Sequence, residues 1–349
     1  MRRIARAIGT WFRRPRHIVL ASVAAVVVGL LVWTSVSPWP SAMVIRAVFE
    51  SSRDANIAEL NRHLPAELPH EMLDVPYGDE GSDTSYDAFW PEGITDALPT
   101  VVWIHGGAWI SGDKVDVAPY LRILAAEGYT TIGLNYTVAP EAVYPTAVRQ
   151  LNDALAHLVA NADELHIDTD RIVIAGDSAG AQLASQLAAM ITNPDYAHLV
   201  GIQPALRADQ LVGAVLNCGV YELDGMAKLT GIVSWGFKSA LWAYTGTKDW
   251  SSEAPGALMS SLEFATEDFP TTWISGGNGD GLTWLQSVPM ANRLDELGVD
   301  VTRVFYAADH TPTLGHEYQF HLDGDDAQDA LVSTIAFLDR VTAADAAAD

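Results

Sequence analysis

Cysteine is almost absent from this chain. Cys218 is the only one in 349 residues, so no internal disulfide can form and stability has to come from packing. Basic side chains are scarce as well. The chain has 20 Lys and Arg against 44 Asp and Glu, and six of the arginines precede Ile18. The rest holds 14 basic side chains against 44 acidic ones, a balance of about −30 that argues against nucleic acid or an anionic membrane surface as partners. Internal repeats and low-complexity tracts are missing too. What is present is apolar bulk: 49% of the residues, enough for one large domain with a sizeable core plus an appendage.

The appendage is at the N-terminus. Arg2, Arg3, Arg6, Arg13, Arg14 and Arg16 precede an uncharged run from Ile18 to Val36. As a helix that run spans roughly 28 Å, close to the hydrocarbon thickness of a bilayer. Trp33 and Trp39 fall at its far end, as interface anchors do. The expectation is a basic cytoplasmic segment over 1–17, a single membrane-crossing helix over 18–36, and the bulk of the chain outside the cytoplasm. A cleaved signal peptide is the alternative. Its apolar region is usually shorter, and Pro38 and Pro40 stand where a small-x-small cleavage site would be. Residues 37–70 read as a connector with one or two helices. These could lie against the membrane or cover a site further on.

Two stretches carry chemistry. Ile172-Val173-Ile174-Ala175-Gly176-Asp177-Ser178-Ala179-Gly180 begins as a buried strand and passes into the helix-forming run that follows. A serine between two glycines at such a turn is a nucleophile elbow. The turn strains the serine backbone, and side chains at 176 and 180 would collide with the adjoining strand or helix. The second stretch, Val101-Val102-Trp103-Ile104-His105-Gly106-Gly107-Ala108-Trp109, is another apolar strand, ending in His-Gly-Gly. Acyl transfer needs N–H donors where charge develops on the carbonyl oxygen, and Gly-Gly lets backbone come close. Gly106, Gly107 and Ala179 are the expected donors. His105 opens this loop and is expected to brace it.

Together, His105-Gly106-Gly107-Ala108 and Gly176-Asp177-Ser178-Ala179-Gly180 resemble the α/β-hydrolase fold in its bacterial hormone-sensitive-lipase-like carboxylesterase branch. The run Trp109-Ile110-Ser111-Gly112-Asp113-Lys114 also resembles acetyl-xylan and feruloyl esterases and formamidases. The resemblance covers roughly residues 70–340. It implies a mainly parallel sheet with helices on both faces, a cap insertion, and a serine–acid–histidine triad in that chain order.

The elements read accordingly over the catalytic domain, 71–343, with 344–349 as a tail. Strands are expected at His70–Tyr77, Ser85–Trp90, Leu98–Ile104, Tyr129–Tyr136, from Ile172, and at Leu211–Val220, Thr271–Ser275 and Val301–Tyr306. Helices are expected at Val115–Glu127, Thr146 to about Ala162, Thr283–Leu297 and Asp326–Thr342. The segment from about 222 to 269 has no core strand and falls where the cap belongs. Its aromatics read mainly as packing.

Asp280, in the glycine-rich loop after Thr272-Trp273-Ile274-Ser275, is the expected acid, and Asp280-Gly281-Leu282 resembles the family's Asp-x-Leu. Its bland alternative is a turn or helix-cap aspartate. Asp177 is expected to point away from Ser178 in a structural role. Three histidines follow the last strand: His310, His316 and His321. His310 has the usual separation from that strand. His316 has the aromatics and the interval to the final helix that resemble the family's His-x-Phe, and it is the expected base. The acidic clusters 263–268 and 323–326 read as solvated surface or helix N-terminal charge.

The resemblance thus implies a serine carboxylesterase with Ser178, His316 and Asp280 as triad. It would hydrolyse short- to medium-chain acyl esters through an acyl-enzyme, with no cofactor and no metal. A polysaccharide deacetylase or feruloyl-type esterase is the runner-up, and a non-catalytic binding module is the third reading.

Overall fold

The computed structural model describes residues 15–343. Most of the basic segment expected over 1–17, and the tail 344–349, lie outside the described residues. Helix α1 is described over Pro15–Val36. Its Val19–Val36 stretch has mean hydropathy 2.4 and buries nothing against the rest of the protein, so it is long and apolar enough to cross a membrane. Ser37 and Pro38 end it. The connector is then a single helix, α2, Trp39–Leu60, and a 3₁₀ turn, Asn61–His63.

The domain that follows is built on one eight-stranded sheet. Its strands are β1 His70–Pro76, β2 Ser85–Trp90, β3 Leu98–Ile104, β4 Thr130–Leu134, β5 Ile167–Asp177, β6 Leu211–Asn217, β7 Thr272–Gly276 and β8 Val301–Phe305. The order is β1-β2-β4-β3-β5-β6-β7-β8, antiparallel at β1–β2–β4 and parallel from β4 onward. The central strands are buried on both faces, which is why they read as continuous Val/Ile runs. Two apolar clusters, one around Ile104, Ile174 and Leu216 and the other around Trp103, Val173 and Trp273, form the core.

The helices are α3 Ala118–Ala126, α4 Thr146–Ala160, α5 Ala179–Thr192, α6 Pro194–Val200, α7 Leu223–Ala227, α8 Gly231–Thr245, α9 Ala254–Met259, α10 Ser261–Phe264, α11 Val288–Glu296 and α12 Asp325–Thr342. Two expected helices are interrupted. The one expected over Val115–Glu127 begins as a separate 3₁₀ turn capped by Asp113, with Pro119 opening α3. The one expected over Thr283–Leu297 begins as a π-helical turn, Thr283–Ser287, ahead of Pro289, which cannot donate the hydrogen bond a continuous α-helix requires. Helix α6 is not anticipated by periodicity; Asn193 caps it and left-handed Gly201 ends it. Helices α7–α10 occupy the 222–269 insertion, which has no strand.

Candidate active site

β5 runs straight into α5, and Ser178 sits at the joint with φ 51° and ψ −117°, a strained conformation for a residue with a Cβ. Its N–H donates to the Asn217 carbonyl at 2.8 Å. The flanking glycines are dictated by space. A Cβ on Gly176 would lie 2.5 Å from the Gly180 carbonyl carbon. A Cβ on Gly180 would lie 2.5 Å from the His105 oxygen and closer still to that of Ile104. The two signature loops are therefore in backbone contact, which neither reveals alone.

The structure brings Ser178, His316 and Asp280 together. His316 Nε2 lies 2.9 Å from Ser178 Oγ, and His316 Nδ1 lies 2.7 Å from Asp280 Oδ2. Asp280 also accepts the Leu282 N–H on its other oxygen at 2.9 Å, so it is a turn aspartate and a histidine partner at once. Ser178 and Asp280 are buried, while the His316 side chain is 38% exposed. A further residue, Asn278, clamps the acid loop to the histidine loop: its amide donates to the His310 carbonyl at 3.0 Å and accepts the Leu314 N–H at 2.8 Å. Only the glycine-rich composition around it hints at this, since a Cβ on Gly277 would lie 2.6 Å from the Gly315 oxygen.

The other histidines are elsewhere. His310 faces Asp326, 3.0 Å away, with its ring against Tyr306. His321 lies 3.0 Å from Glu59. His105 is buried; its Nδ1 bonds the Gly106 carbonyl at 2.8 Å, its ring stacks on Tyr136, and burial holds its imidazole below the ordinary value. Lys114 lies outside the site, buried between Asp74 (2.6 Å) and Asp87 (2.8 Å).

One assignment is corrected. The Gly106 N–H donates to Asp177 Oδ2 at 2.8 Å, so it is committed inside the protein and does not point to a substrate oxygen. The reason is Asp177, which does turn away from Ser178 but reaches back to the loop, accepting from Trp103 Nε1 at 2.7 Å as well. The N–H groups of Gly107 and of Ala108, whose φ is 52°, make no hydrogen bond among the described residues.

Glu317, in left-handed backbone at φ 57°, places Oε1 3.6 Å from His316 Nε2. Burial and then the Glu317 charge push the Asp177 carboxyl well above the usual carboxylate range, against the hydrogen bonds from Trp103 and Gly106 that favour its charged form. Burial pulls the His316 imidazole down. The Asp280 hydrogen bond and the charges of Glu317, Asp280 and Asp177 outweigh that and lift it to about 9. Cys218, Asp280 and His316 offer three donor atoms within 4.8 Å of one another. Burial pushes the Cys218 thiol up into its protonated form, and His316 Nδ1 is engaged by Asp280, so this set suits a hydrogen-bonded relay better than a metal ion.

Ser178 lies at the floor of a cavity of about 710 Å³. One wall is the loop from His105 to Gly112, the cap supplies Leu229, Trp235 and Phe237, and the roof is α2 through Val44, Val48, Phe49 and Ile57. A hollow of about 610 Å³ beside His198 and Arg207 holds none of the three residues. Trp109 packs the loop onto its neighbours, donating to Gln182 at 2.9 Å and stacking on Tyr244.

The chain is similar to known esterases. The chain is 34% identical over 147 residues to the carboxylesterase NlhH of Mycobacterium tuberculosis, covering 41% of this chain and 46% of that one. It is 30% identical over 193 residues to an acetyl esterase of Salmonella choleraesuis, covering 54% and 53%. It thus spans about half the length of the curated relatives it matches. Among solved structures, esterase B of Lactobacillus rhamnosis superposes with a TM-score of 0.75 over 87% of this chain and 96% of that one, at 20% identity, which shows a shared fold. A bacterial heroin esterase gives 0.66 over 86% and 91%, also at 20% identity. Residues 86–294, more than half of the chain, match the BD-FAE family, so the chain belongs to that family and has the α/β-hydrolase fold.

Proposed function

We propose that the protein is a serine carboxylesterase. The observation that carries this reading is the unbroken relay Ser178–His316–Asp280, at 2.9 and 2.7 Å, on the floor of a cavity. Neutral His316, held by Asp280, takes the Ser178 proton as Oγ attacks an ester carbonyl. The N–H groups of Gly107, Ala108 and Ala179 receive the oxyanion, each worth about 3 kcal/mol in comparable sites. The imidazolium then protonates the leaving alcohol, and water releases the acid by the same steps in reverse. Asp177 holds the oxyanion loop in place through Gly106 and Trp103.

The esterases among the relatives support this reading, and the cavity suits a short to medium acyl chain. Helix α1 would hold the catalytic domain on the extracytoplasmic face of a membrane, since the arginines precede it. The test is hydrolysis of p-nitrophenyl acetate, butyrate and octanoate by the full chain in detergent. Turnover by the parent and background release by Ser178→Ala support the reading; a folded parent that releases nothing overturns it.

A further inference from the structure

We infer that the ester reaching Ser178 is one dissolved in a lipid bilayer, and that the first half of α2, beside the cavity mouth, lies on the bilayer surface. The inference rests on the esterase reading and on α1 as the membrane span.

The exposed residues that line the cavity mark its mouth; they include the apolar Val44 (58%), Val48 (62%), Phe49 (45%) and Trp235 (45%) and the polar Glu50 and Asn56. Outside it, Trp39 and Met43 are exposed as well. This apolar band is continuous in sequence with the end of α1 at Val36 and stops at Glu50, Ser51 and Asp54, all exposed. Ser37 and Pro38 break the helix after Val36, and α2 restarts at Trp39, three residues on, beside a headgroup layer that extends about 5–8 Å beyond the hydrocarbon. A mouth this near the end of a membrane helix sits at the interface, where exposed Val, Phe and Trp are in place.

The roof over the cavity is fixed. Near its start α2 buries Ala42 and Ile45, and Arg46 donates to the carbonyls of Ile110 (2.6 Å) and Ala139 (2.8 Å) and pairs with Glu141. At its far end Leu60 is buried, and Arg62 and His63 hold Asp323. Between these supports Arg53 pairs with Asp116, and Val48, Phe49 and Ile57 line the cavity. The cap is tied to the same level, because Lys248 donates to the Ser35 carbonyl in the last turn of α1. The acidic balance of the chain makes a zwitterionic surface the fitting one.

The test uses the full chain in phosphatidylcholine vesicles, with 4-methylumbelliferyl decanoate in the bilayer and p-nitrophenyl acetate in the water. The variant Trp39→Ser with Met43→Asp changes exposed residues outside the cavity. It is expected to lower decanoate turnover by about tenfold and to leave acetate turnover within about twofold, since charge on an interfacial apolar face weakens docking without touching Ser178. Independently, because Cys218 is buried, Met43→Cys offers one accessible thiol for a fluorescent label. That label should be shielded from aqueous iodide in vesicles, while one at Ser51→Cys should be quenched. Equal quenching at both positions, or an unchanged decanoate-to-acetate ratio, overturns the inference. Failure of the parent on acetate strikes the esterase reading instead, and the labels still decide the docking.

Discussion

At the floor of the cavity, Ser178 hangs on backbone that tolerates almost no other sequence: glycines at 176 and 180 whose missing Cβ atoms let β5, α5 and the His-Gly-Gly loop touch. At the roof, α2 and the turn after it are joined to the same domain by long side chains that meet carboxylates and carbonyls across 63 to 261 residues of sequence. The floor is set by exclusion of atoms, the roof by addition of them. A floor of this kind fixes chemistry to tenths of an ångström and fails abruptly; a roof of this kind fixes access and should fail by degrees.

The largest expected effect is at the floor. Ser178→Ala should cost about 10⁴-fold or more in kcat/KM, and Asp280→Asn a loss of similar order, because the relay acts as a unit. Gly180→Ala should cost about 3 kcal/mol or more, read as a fall in Tm, because the new methyl meets β3 carbonyl oxygens that cannot retreat. At the roof, Arg46→Ala removes the donors to Ile110, Ala139 and Glu141 and should cost about 1–2 kcal/mol, with a rise in KM larger than the fall in kcat. A kcat loss there as deep as at the floor would erase the distinction between the two regions.

A smaller effect sharpens it. His316 is lifted to about 9, so near pH 7 it is largely protonated, and the neutral base grows as pH rises. The acidic limb of kcat/KM should therefore lie well above the ordinary histidine value. Glu317→Gln removes a charge that favours the imidazolium and should move that limb to lower pH. An unshifted limb would mean that Glu317 does not act on His316.

Legibility in the sequence follows the same division. The elbow turn, the His-Gly-Gly loop and the sheet are readable because glycine between apolar β-branched runs has few other uses. Asp280 is readable by position in the chain. His316 and His310 compete because the loop after β8 has no periodicity, and the clamp that decides their placement is Asn278, an unremarked residue in the acid loop. Gly106 misleads for a related reason: the sequence shows an available N–H, and only the folded chain shows Asp177 taking it. The role of α2 is illegible because its partners, Glu141, Asp116 and Asp323, are far along the chain and its central face meets space instead of a core.

The most direct measurement of the central claim compares histidines. Release of p-nitrophenol from the butyrate ester would be followed for the parent, His316→Ala and His310→Ala, with Ser178→Ala as background. The account predicts that His316→Ala falls to the Ser178→Ala level and that His310→Ala keeps most of the parent rate. A His310→Ala variant at background beside an active His316→Ala would contradict the relay described here.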